Sequence, residues 1–278
     1  MRKPAASVVV TSFNTPTGLL AISLSSILGQ TLEDLELVLV VDGDLTPDSA
    51  ELVESLQRAD DRLVVFQPGR VGRAQALNLG LDAARGRLIG IQDADDASHP
   101  RRLEIQAALL KLTPKLALLG ADARVSASVT ATADWPLSQG DPKVYVVGRS
   151  LLRSNPVVHS SVLARREALL AVGGYDERRK AQFDYDLLLR LKADGLAIGH
   201  CDLPLVLQRR HPGQFFEGLA PASRAWGSCR LQLTHISRLE GPVKLAYYGV
   251  AGGRFAYQVA RGMAWHRATR RHRSALAA

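Results

Sequence analysis

The sequence predicts an α/β fold, a mostly parallel sheet with helices on its faces. Three observations predict it. Short β-branched or apolar runs alternate with helix-like patterns through the first hundred residues, the rhythm of βαβ units with right-handed crossovers. The run Leu88, Ile89, Gly90, Ile91 is apolar without alternation, which suits a strand buried on both faces. Polar residues then gather directly after the runs, and ligands of open parallel sheets bind beyond that carboxyl edge.

Taken in order, Ser7 to Phe13 (SVVVTSF) is short and β-branched, and Thr17 to Gly29 carries Leu20, Ile22, Leu24, Ile27 and Leu28 at spacings a helix can bury. Leu35 to Val41 is the second strand. Pro47 to Ala59 is the second helix, with Thr46 as cap and Pro47 at its first position. Leu63 to Gln67 is the third strand. Ala76, Leu77, Gly80, Leu81 and Ala84 then recur on one face of a helix that stops at Gly86. Further on, Pro100 to Leu112 reads as helix, Leu116 to Gly120 as strand and Ser126 to Asp141 as a loop of small residues. Ser161 to Ala164 is strand-like, Arg165 to Val172 helical, and Asp184 to Ala193 an amphipathic helix closed by Gly195.

A chain of 278 residues is long enough for one large domain with an appendage, and 46% hydrophobic with 22% charged residues is globular rather than disordered composition. The net charge of +8 suits a phosphorylated substrate, an anionic membrane surface or a nucleic acid. No nucleic-acid-binding motif accompanies that charge, so no nucleic-acid partner is expected. Cys201 and Cys229 match no metal spacing and read as reduced structural thiols, with a single disulfide as the alternative. No run approaches the roughly 20 apolar residues of a spanning helix, so a cytoplasmic protein is expected. The tail from Pro242 interleaves Tyr247, Tyr248, Phe255, Tyr257 and Trp265 with lysine and arginine. That pattern fits a helix lying on an anionic membrane surface or, equally, a helix packed on the main domain with a solvated basic end.

The chemistry is concentrated where Leu88 to Asp96 (LIGIQDADD) ends in carboxylates. Residues two apart in extended chain point the same way, so Asp93 and Asp95 project together. Such a pair either holds a hard cation such as Mg²⁺ or Mn²⁺, or forms an acidic turn in which Asp96 or Ser98 caps the next helix. Two other strand ends converge on the same edge: Thr11, Ser12, Phe13 and Asn14 after the first, Asp42 and Asp44 after the second.

The chain resembles the family 2 glycosyltransferases of the GT-A fold. The resemblance is carried by VVVTSFN at 8 to 14, VVDGDLTPDS at 40 to 49, GRAQALNLGLDAARG at 72 to 86, IQDADD at 91 to 96 and PRRLEIQ at 100 to 106. It continues through NPVVHSSVLARR at 155 to 166, VGGYDE at 172 to 177, FDYDLLLRL at 183 to 191 and RRHPGQ at 209 to 214. The resemblance implies a GT-A domain over residues 1–240, with 1–120 binding the nucleotide sugar and 121–240 the acceptor, followed by a helical tail over 241–278. It implies an inverting enzyme that moves a sugar from a nucleoside-diphosphate donor, UDP-linked by expectation, to a hydroxyl of a saccharide or lipid-linked glycan. The alternative is a non-catalytic GT-A domain that binds nucleotide or glycan within a polysaccharide-assembly complex.

Carried over residue by residue, Thr11, Phe13 and Asn14 line the nucleoside pocket and Asp42 accepts from the base. Asp42 reads otherwise as a turn residue of the Asp42-Gly43 pair, where the family commonly has two adjacent aspartates. Arg73 and Asn78 are expected at the sugar nucleotide, Arg73 being alternatively a solvated helix charge. Asp93 is expected near ribose and metal, Asp95 as the direct ligand of Mn²⁺ or Mg²⁺, and His211 as a further metal or phosphate contact or a loop residue. Arg210, with Arg209, is a diphosphate partner or a solvated charge. Asp184 is expected as the general base, with Asp186 as fallback; Phe183 stands where relatives carry a glutamate. His159 falls on the acceptor side. Trp135 stacks on an acceptor sugar or is an ordinary packed indole.

Overall fold

In a computed structural model the described residues are 3–129, 142–210, 221–237, 244–245 and 247–257. Four parallel strands come first: β1 (Ala6–Ser12), β2 (Leu35–Asp42), β3 (Leu63–Gly69) and β4 (Leu88–Asp93). Between them lie α1 (Thr17–Leu28), α2 (Pro47–Ala59) and α3 (Arg73–Ala83), so the predicted βαβ rhythm is present. Their order in the sheet is β3-β2-β1-β4, with β1 at a crossover between β2 and β4. Ser12 stands opposite Val41, and Thr11 opposite Asp93, so three strand ends finish level.

The two-faced burial of these strands explains their composition. Every residue of β2 is buried, and β1 is buried except at Thr11. Val8, Val10, Leu37 and Leu39 pack with Leu20, Leu24 and Ile27 of α1 in one core cluster, each contributing roughly 1.5–3 kcal/mol by leaving water. Helix α2 starts as its sequence predicts, with the Thr46 hydroxyl accepting from the Ser49 backbone N–H at 3.3 Å, a cap worth about 1 kcal/mol. Helix α3 lies close on the sheet because of Gly80: a Cβ there would stand 2.4 Å from Val9 Cγ1. That close seat places the first turn of α3, with Arg73, at the carboxyl edge.

Beyond β4 the sheet changes character. A two-residue strand β5 (Ala97–Ser98) and α4 (Arg102–Leu112) lead to β6 (Leu116–Ser126) and β7 (Val144–Val146). A 3-10 turn (His159–Ser161), β8 (Leu163–Arg165), α5 (Arg166–Ala171), α6 (Phe183–Ala193) and β9 (Ala197–Arg209) follow. Strand β8 inserts antiparallel between β4 and β6, and β9 runs parallel to β6 with breaks in register near Asp122. The expected strands near 116–120 and 161–164 are present, but β5, β7 and the 13-residue β9 escape the sequence pattern. Strand β9 alternates unevenly and contains Pro204, which the register break accommodates.

The chain divides into two compact units, residues 1–148 with 156–210, and residues 149–155 with 211–278. Within the second, α7 (Pro221–Ile236) and a helical stretch at 247–257 meet through the rings of Trp226 and Phe255, 5.7 Å apart. Cys201 and Cys229 are both free, buried thiols. No helix among the described residues is long and apolar enough to cross a membrane.

Candidate active site

At the carboxyl end of β2, Asp42 is buried. Its Oδ1 accepts from the backbone N–H groups of Val71 at 2.7 Å and Gly72 at 2.9 Å, and its Oδ2 pairs with Arg70. Arg70 lies over Phe13, its guanidinium carbon 3.6 Å from the ring centroid. Asn14 holds a left-handed backbone (φ 50°) at the end of the β1 loop, a conformation asparagine tolerates better than most residues. Thr11 is half-buried beside Asp93. The predicted nucleoside residues Thr11, Phe13 and Asp42 therefore do share one edge, and Arg70 joins them without having been singled out in the sequence.

One pleat further, Asp93 pairs with Arg73 and its backbone carbonyl accepts from the Ser23 hydroxyl at 2.9 Å. Asp95 Oδ2 faces Arg209 Nη1 at 3.6 Å. Burial, reinforced by the charge of Asp93, raises the Asp95 pKa even though Arg209 and Arg73 oppose the rise. Asp96 turns inward: it is 1% exposed, its Oδ1 accepts from the Arg209 N–H at 2.8 Å, and its Oδ2 is buried with no hydrogen-bond partner. Burial and then Asp93 push its pKa well up, while the neighbouring Ser160 hydroxyl and the Arg209 N–H hold it down. The acidic turn is thus not a helix cap. Neither Asp96 nor Ser98 caps α4, whose first residue is Arg102 and whose preceding Arg101 makes no side-chain cap.

Arg102 supports this turn from beneath. It is fully buried, and all five of its N–H donors are used. Nε reaches Gln106 at 3.1 Å, Nη1 reaches Gln92 at 2.9 Å and Ser98 at 2.8 Å, and Nη2 reaches the carbonyls of Ile91 at 2.9 Å and Val162 at 3.0 Å. Burial lowers its pKa to about 9, which leaves it charged at neutral pH. Gln92 in turn donates to the Asp96 carbonyl at 2.8 Å, and Gln106 donates to the Ser161 and Leu119 carbonyls. Arg102 and Gln106 thereby tie the acidic turn to the 3-10 turn and β6. Sequence inspection places both in PRRLEIQ but offers no way to see that a basic residue is fully buried.

The second group of predicted residues meets the first at Arg73. Asp184, in the first turn of α6, is half-buried. Arg73 is held firmly charged by Asp93 first, then by Asp184, Asp95 and Asp96, against its own desolvation. His159 Nε2 lies 2.9 Å from the Tyr175 hydroxyl, and burial lowers its pKa although Asp184 and Asp93 oppose this. Phe183 completes an edge-on triangle of rings with His159 and Tyr175, at centroid distances of 5.7 to 5.9 Å. The Arg73 guanidinium lies 5.6 Å above the Phe183 ring. An aromatic ring rather than a carboxylate at 183 therefore still meets the arginine, through its face.

Other expected residues are placed differently. Asn78 is committed to the turn after α5: it donates to the Tyr175 carbonyl at 2.9 Å and to Glu177 at 2.8 Å, and accepts from the Tyr175 N–H at 2.8 Å. Asp186 is buried between two arginines, Arg190 at 2.8 Å and Arg179 at 3.1 Å. Its charge is engaged in the fold, whereas Asp184 acts on the charge of Arg73. Arg210 is exposed, and its N–H donates to the Ser126 carbonyl at 2.8 Å. Trp135 and His211 lie outside the described residues.

Whether these residues suit a divalent metal is decided by their donors. Among the described residues no three histidine, cysteine or acidic side chains form a metal cage. Asp93 and Asp95 supply two carboxylates whose mutual repulsion a cation would relieve. Mg²⁺-like ions are commonly held by one or two carboxylates plus substrate phosphates, so the donor set fits an ion bound together with a diphosphate.

A Rossmann-like parallel half with an antiparallel insertion, carrying aspartates on the fourth strand end, is a GT-A architecture. Residues 7–168, more than half of the chain, match the model of glycosyl transferase family 2, and the chain belongs to that family. It is 28% identical over 207 residues to an uncharacterised glycosyltransferase of Methanocaldococcus jannaschii, covering 70% of this chain and 67% of that one. It is 31% identical over 211 residues to the O-antigen biosynthesis protein RfbC of Myxococcus xanthus, covering 73% of this chain but only 16% of that protein. The fold matches S. aureus TarS in complex with UDP-GlcNAc, at a TM-score of 0.67 and 19% identity over 90% of this chain and 72% of that one. It also matches the mannosyltransferase PcManGT of Pyrobaculum calidifontis in complex with GDP-Man and Mn²⁺, at a TM-score of 0.62 and 19% identity, over 99% and 81%.

Proposed function

We propose that this chain is an inverting glycosyltransferase that moves a sugar from a UDP-linked donor to a hydroxyl of a saccharide or lipid-linked glycan. The observation that carries the reading is that Arg73, paired with Asp93 at the β4 end, also feels the charges of Asp95 and of Asp184 on α6. Donor-side and acceptor-side acids then address one cation. Asp184 accepts the proton of the acceptor hydroxyl, whose oxygen attacks the anomeric carbon. The bond from that carbon to the diphosphate oxygen breaks on the opposite face, and the diphosphate leaves with the electron pair. Arg73 and Arg209 would meet its charge. Asp93 and Asp95 would hold a divalent cation, which when bound supplies Lewis-acid stabilisation of the leaving diphosphate. The complexes of two similar folds with UDP-GlcNAc and with GDP-Man and Mn²⁺ support a nucleotide-sugar donor.

The test pairs binding with turnover. Asp184→Asn should abolish sugar transfer while leaving UDP binding within about twofold, and full transfer by that variant would sink the assignment of the base. Asp95→Ala should remove metal-dependent UDP binding in calorimetry. Binding without any release of diphosphate, across a panel of nucleotide sugars, is instead the signature of a non-catalytic binding domain.

The tail extends the reading to location. Residues 241–278 contain seven lysines and arginines and no acidic residue, while Leu245 and Tyr257 are 74% and 61% exposed. This supports peripheral contact with an anionic membrane face, where a lipid-linked acceptor would be met. Sedimentation with vesicles of neutral and anionic lipid, at low and high salt, checks it.

A further inference from the structure

The seat that a nucleobase would need already has an occupant. Arg70 covers the Phe13 ring at 3.6 Å and pairs with Asp42 Oδ2, while Asp42 Oδ1 is taken by two backbone N–H groups. A guanidinium is flat, carries N–H donors along its rim and stacks on aromatic faces. In this position it presents to Phe13 and Asp42 the two contacts a base would make: a planar face on the ring and an N–H to the carboxylate. Gly43 borders this seat: its φ of +121° disfavours other residues, while a Cβ there would make only ordinary contact with Phe13 at 3.6 Å and the Arg70 chain at 3.9 Å. The arginine is a movable occupant, since its side chain is 54% exposed whereas that of Asp42 is 3% exposed.

We infer that Arg70 is a stand-in for the nucleobase: it occupies the base seat of the empty protein and swings off when a nucleotide enters. The inference rests on the nucleotide-binding reading above and adds a residue that sets the affinity threshold of that site. Its sign distinguishes it from an ordinary binding arginine. Removing a ligand contact weakens binding, whereas removing a competitor strengthens it.

Calorimetric titration of the full chain and of Arg70→Ala with uridine, UDP, guanosine and GDP tests this. The variant should bind the favoured nucleoside and its diphosphate about 3- to 20-fold more tightly, the size expected for losing one exposed cation–π contact and one ion pair. Arg70→Gln, which keeps a donor for Asp42 without the charge, guards against collapse of the 70–72 turn and should shift binding in the same direction. Unchanged affinity overturns the inference. Weaker uridine binding would make Arg70 a base contact, and weaker UDP binding with unchanged uridine would make it a phosphate contact; either overturns it. Failure of both wild type and variants to bind any nucleoside or diphosphate overturns the nucleotide reading, and this inference with it.

Discussion

Glu36 at the amino edge of the parallel sheet and the Asp95–Asp96 pair at its carboxyl edge are held in opposite ways. At the amino edge, Glu36 is 2% exposed and receives the Ser7 hydroxyl, the Arg85 N–H and the Arg85 guanidinium at 2.7 Å, with Gly86 donating in turn to Ser7 at 2.7 Å. Burial alone would raise the Glu36 pKa, yet these hydrogen bonds bring it below the ordinary value. At the carboxyl edge, burial raises Asp95 and Asp96 and the charge of Asp93 adds to the rise, more than Arg209 and Arg73 offset at Asp95 or the Ser160 hydroxyl and the Arg209 N–H offset at Asp96. Glu36 is satisfied by its own chain, as Asp42 is at the opposite edge. Asp95 and Asp96 are not: burial and the nearby charge of Asp93 outweigh Arg209 and Arg73 at Asp95, the condition in which a further cation is gained rather than merely tolerated.

This contrast can be broken by experiment. The largest effect is expected at Asp184: replacing it with asparagine should lower the transfer rate by 100-fold or more, the usual worth of a positioned general base, with the unfolding midpoint held. A variant that lost stability in step with activity would make Asp184 part of the fold. Next is Arg102→Leu, which strips donors from two carbonyls, two glutamines and a serine, all buried; a loss on the order of 3–5 kcal/mol is expected in urea unfolding. A loss below about 1 kcal/mol would show that the acidic turn holds itself.

The two edges separate most cleanly by neutralising one acid on each. Glu36→Gln should cost about 2 kcal/mol at pH 7. Because the folded pKa of Glu36 lies below its ordinary value of 4.5, its contribution is present above that pH and disappears as pH falls through the folded pKa. The difference between wild type and variant should therefore shrink below about pH 4, and a constant difference would refute the charge argument. The smallest effect is expected from Asp96→Asn. The amide keeps an acceptor for the Arg209 N–H and can donate towards Ser160, so stability should change by under about 1 kcal/mol, or rise. A large loss there would erase the distinction between the edges.

Much of this site was legible in the chain. The β-branched runs, the Thr46 cap and the placement of Asp42, Asp93 and Asp95 after strands all follow from local pattern, because parallel strands buried on both faces need unbroken apolar runs and place their polar residues at the ends. The FDYD stretch likewise opens α6, with Asp184 in its first turn. Strand β9 was not legible, since its irregular pairing with β6 is set by partners about 80 residues away. Asp186 and Asp184 look interchangeable in sequence; only tertiary packing sets Arg179 and Arg190 on one and Arg73 near the other. Arg70 and Arg102 show the same limit. Each reads as one more surface cation, and only the folded chain decides that one lies over the Phe13 ring while the other is fully buried beneath the acidic turn. Local sequence determines where strands and turns form. Which charges meet is decided by elements distant in sequence, because charge pairing depends on distance and burial rather than on order along the chain.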